Sequence, residues 1–98
     1  MTDAAQRYRS LLRRQLPLLA EKYQVASLAL FGSYVRGTQR ADSDLDVLVT
    51  FEELPGLFGL IELENRLSDL LGVKVDLVVR DSLKPRIGRR IEQELVPV

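Results

Sequence analysis

Apolar residues recur at two different periods along the chain. Tyr8, Leu11, Leu12, Leu16, Leu19 and Tyr23 fall close to one stripe at helical spacing, which predicts a helix over residues 4–23. Pro17 interrupts that stripe and predicts a kink or two abutting helices. Residues 26–31 are apolar and bounded by polar positions, the pattern of a short buried strand. Residues 45–51, Leu-Asp-Val-Leu-Val-Thr-Phe, are β-branched and apolar and predict a second strand. Leu54-Pro55-Gly56 signals a turn. Leu57, Leu60, Ile61, Glu64, Leu67, Leu70 and Leu71 then return to helical spacing over 57–71, with Gly72 as C-cap. A third strand is predicted over 73–80. A last helix is predicted over 82–95, capped by Ser82 or Asp81, with Pro85 in its first turn and Leu83, Ile87, Ile91 and Leu95 along one side. The order α, β, short α or loop, β, α, β, α implies an α/β (α+β) protein: a small mixed sheet with helices packed against it. Residues 1–98 read as a single domain without repeat or linker.

Polar residues sharpen the picture where the first two strands meet their connection. The first apolar run ends in Gly32-Ser33, a short polar segment bounded by Gly37 follows, and Asp44 and Asp46 stand at the mouth of the second run. Positions two apart in a strand face the same way, so the two carboxylates stand side by side. Like charges at that spacing oppose folding unless a cation lies between them, and magnesium shared with substrate phosphates suits such a pair. Aspartate is depleted in strands, which argues against chance placement on a wet edge. In the third strand Val73, Val75, Leu77 and Val79 share one face and Asp76 occupies the other. If the strands are neighbours, three carboxylates converge and could hold two metals, or one metal and a base. Otherwise Asp76 lies on a wet face beside Lys74. Gly32 allows close approach of backbone to phosphate, Ser33 offers a hydroxyl, and a helix starting here would turn its amides toward an anion. Arg36 and Arg40 are nearby cations that could neutralise phosphate, with Arg40 expected to face solvent.

Composition narrows the chemistry further. The 98 residues include fourteen basic and fourteen acidic side chains, so net charge argues for neither nucleic acid nor membrane. Arg7, Arg9, Arg13 and Arg14 read as the solvated flank of the first helix, and Arg86, Arg89 and Arg90 as that of the last. Cysteine and histidine are absent, which removes thiolate chemistry, His/Cys zinc sites and a histidine base. Carboxylate-only ligation favours magnesium, with manganese the alternative. Asp42, Asp44, Asp46 and Glu53 match ligand positions of an EF-hand loop, but its glycine position holds Val47 and the loop would have to consume a strand. With no signal-peptide core or span-length apolar run, the expected location is cytoplasmic.

The combination Gly32-Ser33, Arg36-Gly37, Ser43-Asp44-Leu45-Asp46 and Asp76 resembles the DNA polymerase beta-like nucleotidyltransferase superfamily. It is most similar to the minimal nucleotidyltransferases, including the MntA-type antitoxins, over nearly the whole chain. The run Leu83-Lys84-Pro85-Arg86 also resembles the ending of these short proteins. The resemblance implies transfer of AMP from ATP with release of pyrophosphate. Asp44, Asp46 and Asp76 would bind Mg2+ (or Mn2+), Asp76 would also assist deprotonation of the acceptor, and Gly32, Ser33 and Arg36 would hold the triphosphate. Larger relatives carry a further domain for the acceptor; here the acceptor is expected on a partner. In this branch the implied partner is a HEPN ribonuclease toxin, modified on a tyrosine within a hetero-oligomer, without direct nucleic-acid or membrane binding. Two alternatives stand beside this antitoxin reading: a binding module that neutralises its partner by covering it, and a small-molecule nucleotidyltransferase.

Overall fold

A computed structural model describes residues 1–98. The first amphipathic stretch forms α1 (Asp3–Tyr23), whose N-cap Thr2 accepts from the Ala5 amide. Ala5, Tyr8, Leu12, Leu19 and Tyr23 bury one face, with Leu11 and Leu16 partly covered beside them. Pro17 lies within α1 and the helix continues past it as one element rather than two. Pro17 and Arg13, whose carbonyl would have received the missing amide, are both exposed, so water can satisfy that group.

Beyond α1 come β1 (Val25–Phe31), the short α2 (Ser33–Arg36), β2 (Leu45–Phe51), α3 (Leu57–Leu71) and β3 (Val75–Val79). A 3-10 turn at Arg80–Ser82, α4 (Pro85–Glu92) and β4 (Val96–Pro97) complete the chain. The strands form one mixed sheet in the order β3-β2-β1-β4, with β2 and β3 parallel and the other two pairs antiparallel. The fold class expected from the patterning is therefore found. Leu28, Leu30, Leu45, Val47, Val49 and Val75 join the buried faces of α1 and α3 in one core. Phe31 and Leu48 are buried outside that core cluster.

Three local expectations are corrected. The third helix is present, but its buried stripe is Leu63, Leu67 and Leu71, whereas Leu57, Ile61 and Leu70 are exposed. Glu64 instead turns toward β3, where its Oε2 accepts from the Leu77 amide. The last helix is shorter than residues 82–95: Lys84 occupies its N-cap position, Pro85 opens its first turn, and neither Asp81 nor Ser82 caps it. Ser82 Oγ donates to the Val79 carbonyl, closing the preceding 3-10 turn. The final residues form β4 beside β1. Arg9 and Arg13 are not a free solvated flank: their Nε atoms donate to the Pro97 and Val98 carbonyls, each at 2.7 Å, and tie β4 to α1.

Candidate active site

Strand alternation creates the site. Leu45, Val47 and Val49 are buried against the helices, which leaves Asp46 on the opposite face of β2. Across the β1–β2 ladder Asp46 is the partner of Phe31, and across the β2–β3 ladder it is the partner of Asp76. Neighbouring strands lie about 4.8 Å apart, so the side chains of Asp46 and Asp76 stand next to each other. Asp44 precedes β2 by one residue, held by a turn in which the Arg40 amide donates to Ser43 Oγ at 2.8 Å. The three acids singled out from patterning are thus brought to one end of one sheet face.

Gly32 closes the other side. A Cβ built at this position would fall 2.0 Å from Asp46 Oδ2. Its φ of 83° and ψ of −155° also belong to a region reserved for glycine. Only a residue without a side chain lets the β1–α2 turn pass so close to Asp46. Ser33 opens α2, which is anchored from behind. Buried Tyr34 meets Tyr8 of α1 edge-on at 5.7 Å, and Thr2 Oγ1 donates to the Tyr34 carbonyl at 3.2 Å. Burial, then the Tyr8 contact, then Asp44 raise the Tyr34 phenol above its usual range.

The electrostatics single out Asp46. Its carboxyl is pushed up to about 6, first by burial, then by repulsion from and hydrogen bonding with Asp76, then by Asp44, with Arg36 opposing. A carboxylate held in that state is relieved by a cation. No three acidic side chains close around a single point. Asp46 is paired with Asp76 across the ladder and Asp44 is near enough to act on it, an open arrangement in which water and phosphate oxygens would have to complete the shell of a hard divalent ion. The donor set, all carboxylate oxygen, fits magnesium or manganese.

A cavity of about 590 Å³ opens at Asp46, lined also by Phe31, Gly32, Arg36, Ile87, Arg90, Ile91 and Glu94. Its volume is in the range of small-molecule sites. A second cavity of about 360 Å³, between α1 and Arg66, lies away from the acids and contains none of them. Arg36 lines the larger cavity, and its Nη1 is paired with Glu94 at 3.0 Å. Arg40 is exposed. Two cavity residues were not foreseen in this role. The charge pattern of α4 predicts a solvated face for Arg90, yet Arg90 lines the cavity together with Asp46, because α4 supplies Ile87, Arg90 and Ile91 to its wall. Glu94 carries no motif; its only advance signal is a carboxylate immediately before the apolar pair Leu95-Val96 near the end of the sequence.

Paired carboxylates beside a Gly-Ser turn on such a sheet define a nucleotidyltransferase, and known proteins agree. The nucleotidyltransferase domain family matches residues 12–98, and the chain belongs to it. Within that family it stands with the minimal nucleotidyltransferases and has the DNA polymerase beta-like fold. The protein adenylyltransferase MntA of Thermococcus cleftensis is 47% identical over 89 residues, covering 91% of this chain and 90% of that protein. A solved structure described as a candidate minimal nucleotidyltransferase superposes with a TM-score of 0.81 at 37% identity, covering 99% of this chain and 97% of that one. A chain in a crystal structure of a toxin–antitoxin with AMP-PNP superposes with a TM-score of 0.69 at 26% identity, covering 98% of this chain and 72% of that one.

Proposed function

We propose that this nucleotidyltransferase moves AMP from ATP onto a protein hydroxyl, a tyrosine of a HEPN-type toxin, and so acts as the antitoxin of a pair in the cytoplasm. The observation that carries the chemistry is the register that sets Asp46 against Asp76 on one side and against Gly32 on the other. The protein acceptor and the antitoxin role are supported by the MntA relative and the toxin–antitoxin neighbour.

Asp44, Asp46 and Asp76 would hold a divalent ion, which would supply charge neutralisation for the triphosphate. The chain's own residues supply the rest. Gly32 and Ser33 let the backbone and a hydroxyl meet the phosphates, and Arg36 adds positive charge from the cavity wall. The acceptor oxygen attacks the α-phosphorus in line, the bond to the β-phosphate oxygen breaks, and pyrophosphate leaves. Asp76 accepts the proton of the attacking hydroxyl. Phosphoryl chemistry of this type needs positioning and charge neutralisation more than covalent catalysis, which suits a chain without histidine or cysteine.

Mass spectrometry of a HEPN-type partner incubated with the protein, ATP and Mg2+ tests the proposal. An adenylyl adduct on a partner tyrosine is expected. Neutralisation of the toxin with no adduct would refute modification and leave binding as the mechanism, whereas an adduct confined to small molecules would refute the protein acceptor.

A further inference from the structure

Glu94 lies between α4 and β4, outside every motif that marks the site. The β1–β4 ladder pairs Leu30 with Val96, and continuing that antiparallel count brings Glu94 level with Gly32. The side chain makes the contact there. Glu94 Oε1 accepts from the Gly32 amide at 2.9 Å, and both of its carboxylate oxygens accept from Arg36 Nη1 at 3.0 Å. One carboxylate thus holds the backbone of the turn that touches Asp46 and the cation of the cavity wall.

We propose that Glu94 is a positioning residue for the nucleotide: it fixes the Gly32 turn and the Arg36 guanidinium in the arrangement that receives the triphosphate. This rests on the nucleotide reading of the site. Gly32 has a φ of 83° that glycine enters without strain, so the dihedral alone does not fix the turn and its contacts must. Asp46 confines its Cα, and Glu94 holds its amide. Arginine is long and loses rotamer freedom whenever it grips a ligand, so prior fixation strengthens binding. The Glu94 contacts engage Nη1, leaving the Nη2 and Nε donors of the fork outside the pair. Glu94 is itself held from elsewhere. Arg80 pairs with Glu92, and Arg9 and Arg13 grip the Pro97 and Val98 carbonyls. Losing the Glu94 carboxylate therefore leaves β4 attached, and its effect is separable from unfolding.

The test uses the whole chain with Glu94→Gln, Glu94→Asp, Arg36→Gln and the Glu94→Gln/Arg36→Gln double variant. ATP affinity is read by calorimetry, KM and kcat by AMP transfer, and folding by thermal midpoint. Glutamine can still accept from the Gly32 amide but loses the charged pair. Glu94→Gln is expected to weaken ATP binding and raise KM about tenfold, with kcat held within about twofold. Glu94→Asp, which keeps the charge, is expected to recover part of the loss. In the Arg36→Gln background, Glu94→Gln is expected to add less than about twofold, as for residues acting through one another. Unchanged affinity in Glu94→Gln overturns the inference, and so do fully additive effects. Tighter ATP binding in that variant also overturns it, because Glu94 would then be an anion competing with the phosphates. If wild type binds ATP but transfers nothing, the transferase reading fails while the affinities still decide the role of Glu94. A wild type that binds no nucleotide overturns both.

Discussion

Replacing Asp46 with asparagine should make the metal-free protein more stable while removing its activity. The carboxyl of Asp46 is raised from 3.8 to about 6. A difference of about two units at 1.36 kcal/mol each is about 3 kcal/mol. Asp46 is only half-buried, and solvent screening reduces this to about 1–1.5 kcal/mol. The folded state binds the Asp46 proton more tightly than the unfolded chain. The stabilisation from protonation is therefore complete below pH 3.8 and lost as pH rises through about 6. Above that value wild type bears the whole cost of the ionised group, and asparagine, of similar shape and without charge, does not. In chelator-containing buffer at pH 8, Asp46→Asn is expected to raise stability to urea by about 1 kcal/mol and the thermal midpoint by roughly 4–8 °C. Near pH 4 the two proteins should converge. Added Mg2+ should stabilise wild type more than the variant. An asparagine variant no more stable at pH 8, or stabilised equally at both pH values, would show that the ionised Asp46 carboxylate does not oppose folding.

Three further outcomes follow from the packing. Gly32→Ala should cost about 1–3 kcal/mol from backbone strain alone. Because its Cβ would meet Asp46 Oδ2 at 2.0 Å, it should also lower AMP transfer on the order of 100-fold; urea titration and label transfer check the two effects. Leu63→Ala, at a fully buried position, should cost about 2–5 kcal/mol, whereas Ile61→Ala, at an exposed one, should stay within about 0.5 kcal/mol by the same titration. Arg9→Ala with Arg13→Ala should release β4, read as faster hydrogen exchange at the Val98 amide, which donates to the Leu28 carbonyl.

The parts of the site that could be read in advance are those governed by short-range rules. Asp46 and Asp76 stand out because alternation assigns each a face within its own strand, and the parallel pairing of β2 and β3 then makes them neighbours. Gly32 was legible as a turn, but not as the surface on which Asp46 rests, because that contact depends on the β1–β2 register. In α3 both Ile61 and Leu63 are apolar, and the helix pattern alone does not say which of two adjoining stripes meets the sheet. Burial of Leu63 is decided by packing against α1 and β3. Glu94 was invisible for a stronger reason. Its role needs β4, a strand of two residues containing Pro97, which has no length over which a period can show. The same strand gives Arg9 and Arg13 their partners, so a run that looked like solvated charge is a clasp.

If the carboxylates of Asp44 and Asp46 carry the chemistry, AMP transfer must be lost with them. Label from α-labelled ATP is followed onto the partner in the presence of Mg2+, with wild type and an Asp44→Asn/Asp46→Asn variant that retains its fold. Wild type is expected to label the partner, and the variant to fall at least about 100-fold. Undiminished transfer by the variant would show that the chemistry does not depend on these two carboxylates.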